Sequence, residues 1–177
     1  MGKEKLIPRA FFVTSGVGMD LEQANAFDLA LCDAGIGECN LVKVSSILPA
    51  KAVETERDKV TLIPGEITHC VMSRADGEAG EVIGAGIGYG WIWEENEDGV
   101  ERKDFGIICE HHGHYSREYL MEKIREKLYK MAETRIRDKK IKMKMKVEIE
   151  GKKLEVKSVE VEDGKFGSVV VALVFVL

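Results

Sequence analysis

Two segments of the chain carry apolar residues at the three- and four-residue spacing of an amphipathic helix. The first extends from about Leu21 to Ala34, and Gly35 and Gly37 are expected to end it. The second is the stronger, because Ser116 is a favourable N-cap for a helix expected over 117–137. Its apolar positions recur at Leu120, Ile124, Leu128 and Met131. Both patterns predict helices with one face turned towards a core.

The rest of the chain is dominated by short apolar or alternating runs, which predict β-strands. The expected strands cover residues 10–14, 39–44, 60–63, 68–74, 81–93, 106–110, 141–149, 154–161 and 168–177. The first is expected to end at residues 15–18, and the last has no polar face, so it should lie in a sheet covered on both sides. Two helices among many strands predict an α+β fold in which helices pack on mainly antiparallel sheets.

Glycines alternate with other residues along the run 81–93, so one face of that strand has no side chains. They are Gly84, Gly86, Gly88 and Gly90. A strand face of this kind indicates that a helix or another backbone approaches closely. The spacing fits neither a phosphate-binding loop nor a dinucleotide-binding fingerprint.

The composition is that of one packed globular domain spanning residues 1–177. Apolar residues make up 45% of the chain, and the net charge of -5 argues against a nucleic-acid partner. The basic run 139–146 mostly alternates lysine with apolar residues, which favours a strand with one wet face. No apolar run suits a membrane span or a leader, and the four cysteines are scattered. These features predict a cytoplasmic protein with free thiols.

The most informative pair of residues is Ser45-Ser46, which lies between an apolar run and Pro49. A chain can cut itself at such a pair: the Ser46 hydroxyl adds to the Ser45 carbonyl, the amide shifts to an ester, and β-elimination follows. The residue at 46 then loses ammonia and becomes a pyruvoyl group. Cleavage would give a β chain of residues 1–45 and an α chain of residues 46–177, of roughly 5 and 15 kDa. Most Ser-Ser pairs are ordinary loop residues, so the interpretation depends on the surrounding sequence.

A pyruvoyl ketone forms a Schiff base with an amino acid and accepts the electrons released when CO2 leaves. An acid must then return a proton to the α-carbon, and Glu110 is the candidate because it ends an apolar strand where burial favours a neutral carboxyl group. Asn40 lies six positions before Ser46, on the same strand face by parity, where it could hydrogen-bond the precursor or the Schiff base. Asp28, on the first predicted helix, is a candidate anion for a cationic substrate. Each of these residues, taken alone, has an ordinary structural explanation.

The same residues carry a family resemblance. The chain contains Asn25-Ala26-Phe27-Asp28, Ala34-Gly35-Ile36-Gly37, Asn40-Leu41 followed by Ser45-Ser46-Ile47-Leu48-Pro49, and Gly106-Ile107-Ile108-Cys109-Glu110. In this order the segments resemble the archaeal pyruvoyl-dependent arginine decarboxylases. The corresponding family patterns are Asn-Ala-Phe-Asp, Ala-Gly-Ile-Gly, Asn-Leu-x-x-x-Ser-Ser-Ile-x-Pro and Gly-Leu-Ile-Met-Glu.

The resemblance implies a four-layer αββα sandwich of mainly antiparallel sheets, self-cleaved into two chains and assembled into trimers with active sites at subunit interfaces. It implies decarboxylation of L-arginine to agmatine and CO2 for polyamine synthesis, with a covalent pyruvoyl group and neither PLP nor a metal. By position, Ser46 becomes the pyruvoyl group and Ser45 the new C-terminus. Glu110 becomes the proton donor, Asn40 a helper in processing and catalysis, and Asp28 the partner of the substrate guanidinium.

Two of the departures from the family pattern bear on the function and leave it open to different interpretations. Pro49 is followed by alanine instead of a second proline, and Glu110 is followed by His111-His112-Gly113-His114. The histidines with Glu110 suggest a metal-binding protein, although adjacent strand residues point to opposite faces. The sequence is also compatible with a pyruvoyl decarboxylase of another basic amino acid and with an uncleaved structural or interaction subunit. Chelator sensitivity tests the metal hypothesis, and a single chain at full mass would favour the uncleaved subunit.

Overall fold

The computed structural model describes residues 5–95, 98–136 and 154–177. In chain order its elements are β1 (Ala10–Asp20), α1 (Gln23–Asp33), β2 (Asn40–Lys43), β3 (Ile47–Pro49), β4 (Val53–Glu54), β5 (Ile67–Glu78), β6 (Val82–Glu95), β7 (Glu101–Gly113), α2 (Arg117–Ile136), β8 (Leu154–Glu160) and β9 (Phe166–Val176). The strand expected over 141–149 and the lysine run 139–146 lie outside the described residues. Of the described helices, neither α1 nor α2 combines the length and the apolar character that a membrane crossing requires.

The described strands form two sheets. The first has five strands in the order β2-β5-β9-β1-β4, and the second has four in the order β3-β7-β6-β8. Neighbouring strands are antiparallel except in the pairs β1–β4 and β2–β5, which are parallel. The apolar strand β9 lies in the centre of the first sheet, with nearly all of its residues buried. This confirms the prediction of a strand covered on both sides.

Apolar side chains form three cores, one between each pair of neighbouring layers of helix and sheet. Helix α1 packs on one face of the first sheet, and α2 packs on one face of the second. The two remaining sheet faces meet in a core that includes Phe11, Leu48, Ile83, Ile108 and Leu173. The order of layers is therefore helix, sheet, sheet, helix, which confirms the predicted α+β fold, a four-layer αββα sandwich.

Strand β1 is longer than the sequence indicated, because residues 15–18 continue it. A Cβ on Gly16 would lie 2.0 Å from the carbonyl oxygen of Ala30, and a Cβ on Gly18 would lie 2.0 Å from that of Ala26. Ala26 and Ala30 are fully buried on α1. The glycines therefore allow the helix to lie directly against β1, and the strand continues through them.

Gly84, Gly86 and Gly88 of β6 face α2, so the close neighbour that the sequence predicted, a helix or another backbone, is a helix. A Cβ on Gly86 would lie 2.6 Å from Cδ1 of Ile124, which is fully buried on the helix. The start of α2 is also confirmed, since Ser116 Oγ accepts a hydrogen bond from the Tyr119 backbone N–H at 3.3 Å. The longest helix is thus placed against the second sheet by a strand that leaves room for it.

The segment between β3 and β5 differs from the prediction. Residues 60–63 do not form a strand, whereas β4 forms at Val53–Glu54, where the sequence analysis predicted no strand. The Arg57 side chain accounts for the conformation, because it donates to the Gly35 carbonyl at 2.7 Å and to the Val60 carbonyl at 2.8 Å. A side chain therefore anchors this segment where the sequence suggested sheet pairing.

The chain passes from the first sheet to the second between β2 and β3. Beyond the end of β2, the Val44 N–H still donates to the Cys70 carbonyl of β5 at 2.9 Å. Strand β3 then pairs with β7 in the other sheet from its first residue. Ser45 and Ser46 therefore occupy the crossover between the two sheets.

Candidate active site

The backbone on either side of Ser46 is fixed by two hydrogen bonds. The Ile47 N–H donates to the Ser45 carbonyl oxygen at 3.0 Å, which closes a three-residue turn around Ser46. The Ser46 carbonyl oxygen accepts the Ile108 N–H of β7, also at 3.0 Å. Ser45 is exposed and Ser46 is half-buried. The peptide bond between the serines is thus held in a turn, with its carbonyl oxygen already bound to a donor.

The Ser46 hydroxyl contacts the side chain of Glu110, with 3.4 Å between Oγ and Oε2. Glu110 is half-buried and follows the buried residues Ile107, Ile108 and Cys109 on β7. Because β7 is the strand that pairs with β3, it holds Glu110 beside the residue that precedes β3. The structure therefore brings together two of the site residues that the sequence predicted.

A pocket of about 420 Å³ opens beside this pair. Its lining comes from the crossover, from β7 and from one side of α2. The residues are Ser46, Ile108, Cys109, Glu110, Lys127, Lys130, Met131, Thr134 and Arg135. Burial raises the pKa of the Cys109 thiol to about 11, so Cys109 is neutral near pH 7 and is a poor nucleophile. Ser46 and Glu110 are the lining residues suited to the predicted chemistry.

Lys127 joins α2 to the strand that carries Glu110. Its Nζ donates to the Glu110 backbone carbonyl at 3.3 Å and lies 3.0 Å from His111 Nδ1. The His111 ring stacks on Tyr115, with 5.4 Å between ring centroids. Burial lowers the pKa of His111, and the charge of Lys127 lowers it further. A neutral His111 is therefore the acceptor for the Lys127 ammonium.

The neighbouring histidines do not assemble a metal centre within the part of the chain that the structure describes. There, no group of three or more His, Cys, Asp or Glu side chains is placed to hold a metal ion. His111 is engaged by Lys127, whereas His114 lies 3.7 Å from Glu81 and 3.3 Å from the Asp76 carbonyl. The geometry thus gives no support to the metal-binding hypothesis.

Asn40 and Asp28 lie elsewhere in the chain. Asn40 is exposed at the start of β2, where its side chain donates to the Gly65 carbonyl at 2.8 Å. The parity argument that linked it to Ser46 is wrong, because β2 ends at Lys43 and the backbone then turns into the crossover. Asp28 is exposed on α1, and neither residue lines the pocket beside Ser46. Their predicted roles in processing and substrate binding stay predictions.

Sequence reasoning missed the contribution of α2 to the pocket. Lys127, Met131 and Thr134 recur at spacings of four and three, so they share one face of the helix. That face borders the buried stripe of Leu120, Ile124 and Leu128. The helical spacing in the sequence was therefore a signal that could have identified this face. What the sequence lacked was the docking of α2 beside β7.

Comparison with known proteins decides what the site belongs to. Residues 10–177 match the family model of the pyruvoyl-dependent arginine decarboxylases, which covers nearly the whole chain. The chain belongs to this family. Membership makes it a decarboxylase that depends on a pyruvoyl group, and it confirms the resemblance carried by the serine and glutamate motifs.

Named relatives agree with the family match. The chain is 37% identical to the pyruvoyl-dependent arginine decarboxylase of Methanocella arvoryzae over 181 residues, which cover 99% of each chain. It is 47% identical over 87 residues to pyruvoyl-dependent arginine decarboxylase 1 of Methanosarcina acetivorans, covering 48% of this chain and 53% of that one. It is 39% identical over 115 residues to a probable pyruvoyl-dependent arginine decarboxylase of Chlorobaculum parvum, covering 62% and 64%.

The crossover fits the covalent group on which this family depends. Such a group needs a serine whose hydroxyl can be deprotonated and whose preceding carbonyl can accept negative charge. Ser46 has the Glu110 carboxylate at 3.4 Å, and the Ser45 carbonyl already accepts the Ile47 N–H. The hydroxyl also faces a pocket large enough for a small-molecule substrate.

Proposed function

We propose that this chain cuts its own backbone between Ser45 and Ser46 and that the mature enzyme converts L-arginine to agmatine and CO2 for polyamine biosynthesis. One observation carries the proposal. In a chain of this family, the hydroxyl of Ser46 lies 3.4 Å from the Glu110 carboxylate, and both residues line a pocket. This contact supports the assignment of Ser46 as the residue that becomes the pyruvoyl group.

Cleavage between Ser45 and Ser46 leaves a single domain made of two chains. Residues 1–45 carry β1, α1 and β2, and residues 46–177 carry the other elements. Strand β1 lies between β9 and β4, and β2 pairs with β5 at the edge of the sheet. The shorter chain is therefore hydrogen-bonded to the longer one at two places in the first sheet. These pairings and the α1 core keep roughly 5 and 15 kDa chains together after the cut.

Self-cleavage begins at Ser46 Oγ. Glu110 takes the hydroxyl proton as Oγ adds to the Ser45 carbonyl carbon, while the Ile47 N–H donates to the oxygen that gains negative charge. The amide C–N bond breaks, its nitrogen takes a proton, and an ester links Ser45 to Oγ.

Loss of the Cα proton of residue 46 then breaks the Cβ–Oγ bond. This elimination leaves a carboxylate on Ser45 and a dehydroalanine at the start of the longer chain. Water adds to the tautomeric imine and the nitrogen leaves as ammonia, so that a ketone remains. The sequence of steps consumes one water molecule and requires no oxidant.

The ketone, once formed, supplies an electron sink for an amino acid bound through its α-amine. The chain's own residues complete the reaction. Glu110 delivers a proton to the α-carbon after CO2 leaves, because its carboxyl group is within hydrogen-bond reach of the side chain of residue 46. Ile108 and Met131 line the same pocket and restrict water beside the reacting carbon.

A second copy of the chain supplies the partner of the guanidinium. Asp28 and Asn40 are exposed and lie outside the pocket lining of their own chain. Near the crossover, Val42, Val44 and Ile47 expose 40%, 37% and 41% of their surface, respectively. Clustered exposed apolar side chains of this kind are typical of an interface. A trimer of cleaved protomers with active sites at its subunit boundaries accommodates both observations.

The intact mass of the denatured protein, with Ser46→Ala as the control, tests maturation. We expect two chains of roughly 5 and 15 kDa from the native sequence and one chain from Ser46→Ala. Reduction with borohydride should shift the mass of the larger chain alone. A native protein that remains at 19.7 kDa after long incubation would refute self-cleavage.

The substrate is tested by incubating the cleaved protein with arginine, lysine or ornithine and measuring the amine product by mass spectrometry. We expect agmatine from arginine at a kcat/KM well above that for the other two. Preferential release of cadaverine or putrescine would retain the pyruvoyl chemistry and replace arginine with another basic amino acid.

A further inference from the structure

The pocket beside Ser46 carries more positive than negative charge. Among its described lining residues, Lys127, Lys130 and Arg135 are cations, and Glu110 is the single carboxylate. An arginine molecule presents a carboxylate at one end and a guanidinium at the other. Like charges repel more strongly in a partly enclosed site than in bulk water. The pocket therefore suits the carboxylate end of the substrate better than the guanidinium end.

Lys127 is the cation best fixed for that role. It is half-buried, whereas Lys130 and Arg135 are exposed. Its Nζ donates to the Glu110 carbonyl at 3.3 Å and to His111 Nδ1 at 3.0 Å. An ammonium has three N–H donors, so these contacts leave one for a ligand. Arg135, by contrast, donates to a carbonyl of its own helix at 2.9 Å.

The acceptors of Lys127 hold it in place and leave its charge intact. Both the Glu110 carbonyl and the His111 imidazole are neutral acceptors, unlike a carboxylate, which would offset the ammonium charge. The stacking of His111 on Tyr115 fixes the plane of the imidazole, and burial lowers the pKa of His111. Lys127 thus presents a positioned positive charge beside Glu110.

We propose that Lys127 binds the α-carboxylate of the substrate and so directs the guanidinium away from α2. This inference rests on the proposed function, because the carboxylate that Lys127 binds is the group that leaves as CO2 in that reaction. It also explains why the guanidinium needs an anion from outside this pocket. Lys127 is then a substrate-binding residue whose contact is strongest before the reaction.

This timing has a kinetic signature. The carboxylate loses its negative charge as it becomes CO2, so its attraction to Lys127 weakens on the way to the transition state. An interaction made in the ground state and lost in the transition state tightens binding without accelerating the chemical step. Removal of the Lys127 charge should therefore raise KM and leave kcat unchanged or higher.

The test compares Lys127→Met with Lys123→Met in fully cleaved protein. Lys123 is a matched control, because it lies one turn earlier on α2 and bonds Glu126 at 2.8 Å, outside the pocket lining. For Lys127→Met we expect KM for arginine to rise at least about tenfold, as for a lost hydrogen bond to a charged group. The inhibition constant of agmatine, which lacks the carboxylate, should change less than about twofold. Lys127→Arg, which keeps the positive charge, should recover most of the lost affinity for arginine.

Each other result overturns the assignment. An unchanged KM would show that Lys127 does not bind the substrate, and a parallel loss of agmatine binding or of kcat would show that it positions Glu110 instead. Lys127→Ala serves as a second neutral variant if Lys127→Met does not accumulate as cleaved protein. Failure of both to cleave, with normal cleavage of Lys127→Arg, would place the residue in maturation and remove it from substrate binding. A different result would refute the proposed function: a wild-type protein that neither cleaves itself nor decarboxylates arginine.

Discussion

Ser46 Oγ and Glu110 Oε2 lie 3.4 Å apart, although 64 residues separate them in the sequence. The contact depends on the pairing of β3 with β7 in the second sheet, whereas the residues before Ser46 belong to the first. In the proposed maturation, this carboxylate would take the proton from the Ser46 hydroxyl. In the proposed decarboxylation, the same side chain would return a proton to the substrate.

Glu110→Gln keeps the size of the side chain and removes its ability to transfer a proton. We expect slower cleavage at Ser45-Ser46, and a fall in kcat of roughly 10² to 10⁴ for the chains that do cleave. The time course of the two fragments on a gel, and kcat normalised to the reducible ketone, measure the two effects. Glu126→Gln, on the exposed side of α2, is the matched control and should alter neither rate. An unaltered kcat in cleaved Glu110→Gln would mean that another group donates the proton.

Asp28→Asn removes one negative charge from an exposed position on α1. If Asp28 pairs with the substrate guanidinium across a subunit boundary, KM for arginine should rise about tenfold, because a charge-assisted hydrogen bond is lost. Cleavage should proceed normally, since Asp28 lies outside the pocket beside Ser46. Steady-state kinetics of the cleaved protein provide the measurement. Asp163→Asn, in an exposed turn, is the control, and equal KM values for both variants would remove Asp28 from the site.

Gly16→Ala should destabilise the protein far more than Gly65→Ala. A Cβ on Gly16 would meet the backbone of α1, 2.0 Å from the Ala30 carbonyl oxygen, so the helix must move and about 3 kcal/mol or more should be lost. At Gly65, with a φ of 83°, a Cβ meets nothing within 4 Å, and the cost is the backbone strain of about 1 kcal/mol. Urea unfolding followed by circular dichroism gives both free energies. Equal losses would show that α1 can shift away from β1 at little cost.

The depressed pKa of His111 makes the stability of the protein depend on pH. Burial lowers this pKa, and Lys127, His112 and Lys123 lower it further, so the folded state favours the neutral ring. Below the ordinary histidine pKa of 6.5 the unfolded chain binds a proton that the folded chain resists. The contribution of His111 is therefore complete above pH 6.5 and is lost as the pH falls through its folded-state pKa.

His111→Phe keeps a flat ring beside Tyr115 and cannot bind a proton. Between pH 8 and pH 5, the urea midpoint of unfolding should fall less for this variant than for the wild type. Phenylalanine cannot accept from Lys127, so the comparison is made between the two pH values for each protein and not at one pH. Identical pH dependences would show that protonation of His111 is not linked to folding.

The cysteines should differ sharply in reactivity. Burial raises the pKa of Cys70 and of Cys109 to about 11, whereas Cys32 is exposed. At pH 8 we expect iodoacetamide to label Cys32 quickly and the two buried thiols after unfolding, as read by peptide mass spectrometry. Rapid labelling of Cys109 in the native protein would mean that the pocket beside Ser46 opens more widely than this structure shows.

Local sequence pattern predicted most of the helices and strands and the family to which the chain belongs. The spacing of Leu120, Ile124 and Leu128 predicted α2, because a helix must turn one apolar stripe to a core. The Ser45-Ser46 pair and Glu110 pointed to pyruvoyl chemistry because their neighbours match a family pattern, and the family match confirms that resemblance. The glycines of β6 predicted that a helix or another backbone lies close, since a bare strand face leaves room for either.

Tertiary structure decided which residues meet. The same glycine argument applied to Gly16 and Gly18, but their local sequence resembled a turn, and the packing of α1 showed them to be part of a strand. Lys127 lines the pocket because α2 packs beside β7. Asn40 does not share a strand face with Ser46, because β2 ends at Lys43. Periodicity reports the direction of a side chain relative to its own element. The distance between elements depends on sheet pairing and core packing, which act between residues far apart in the chain.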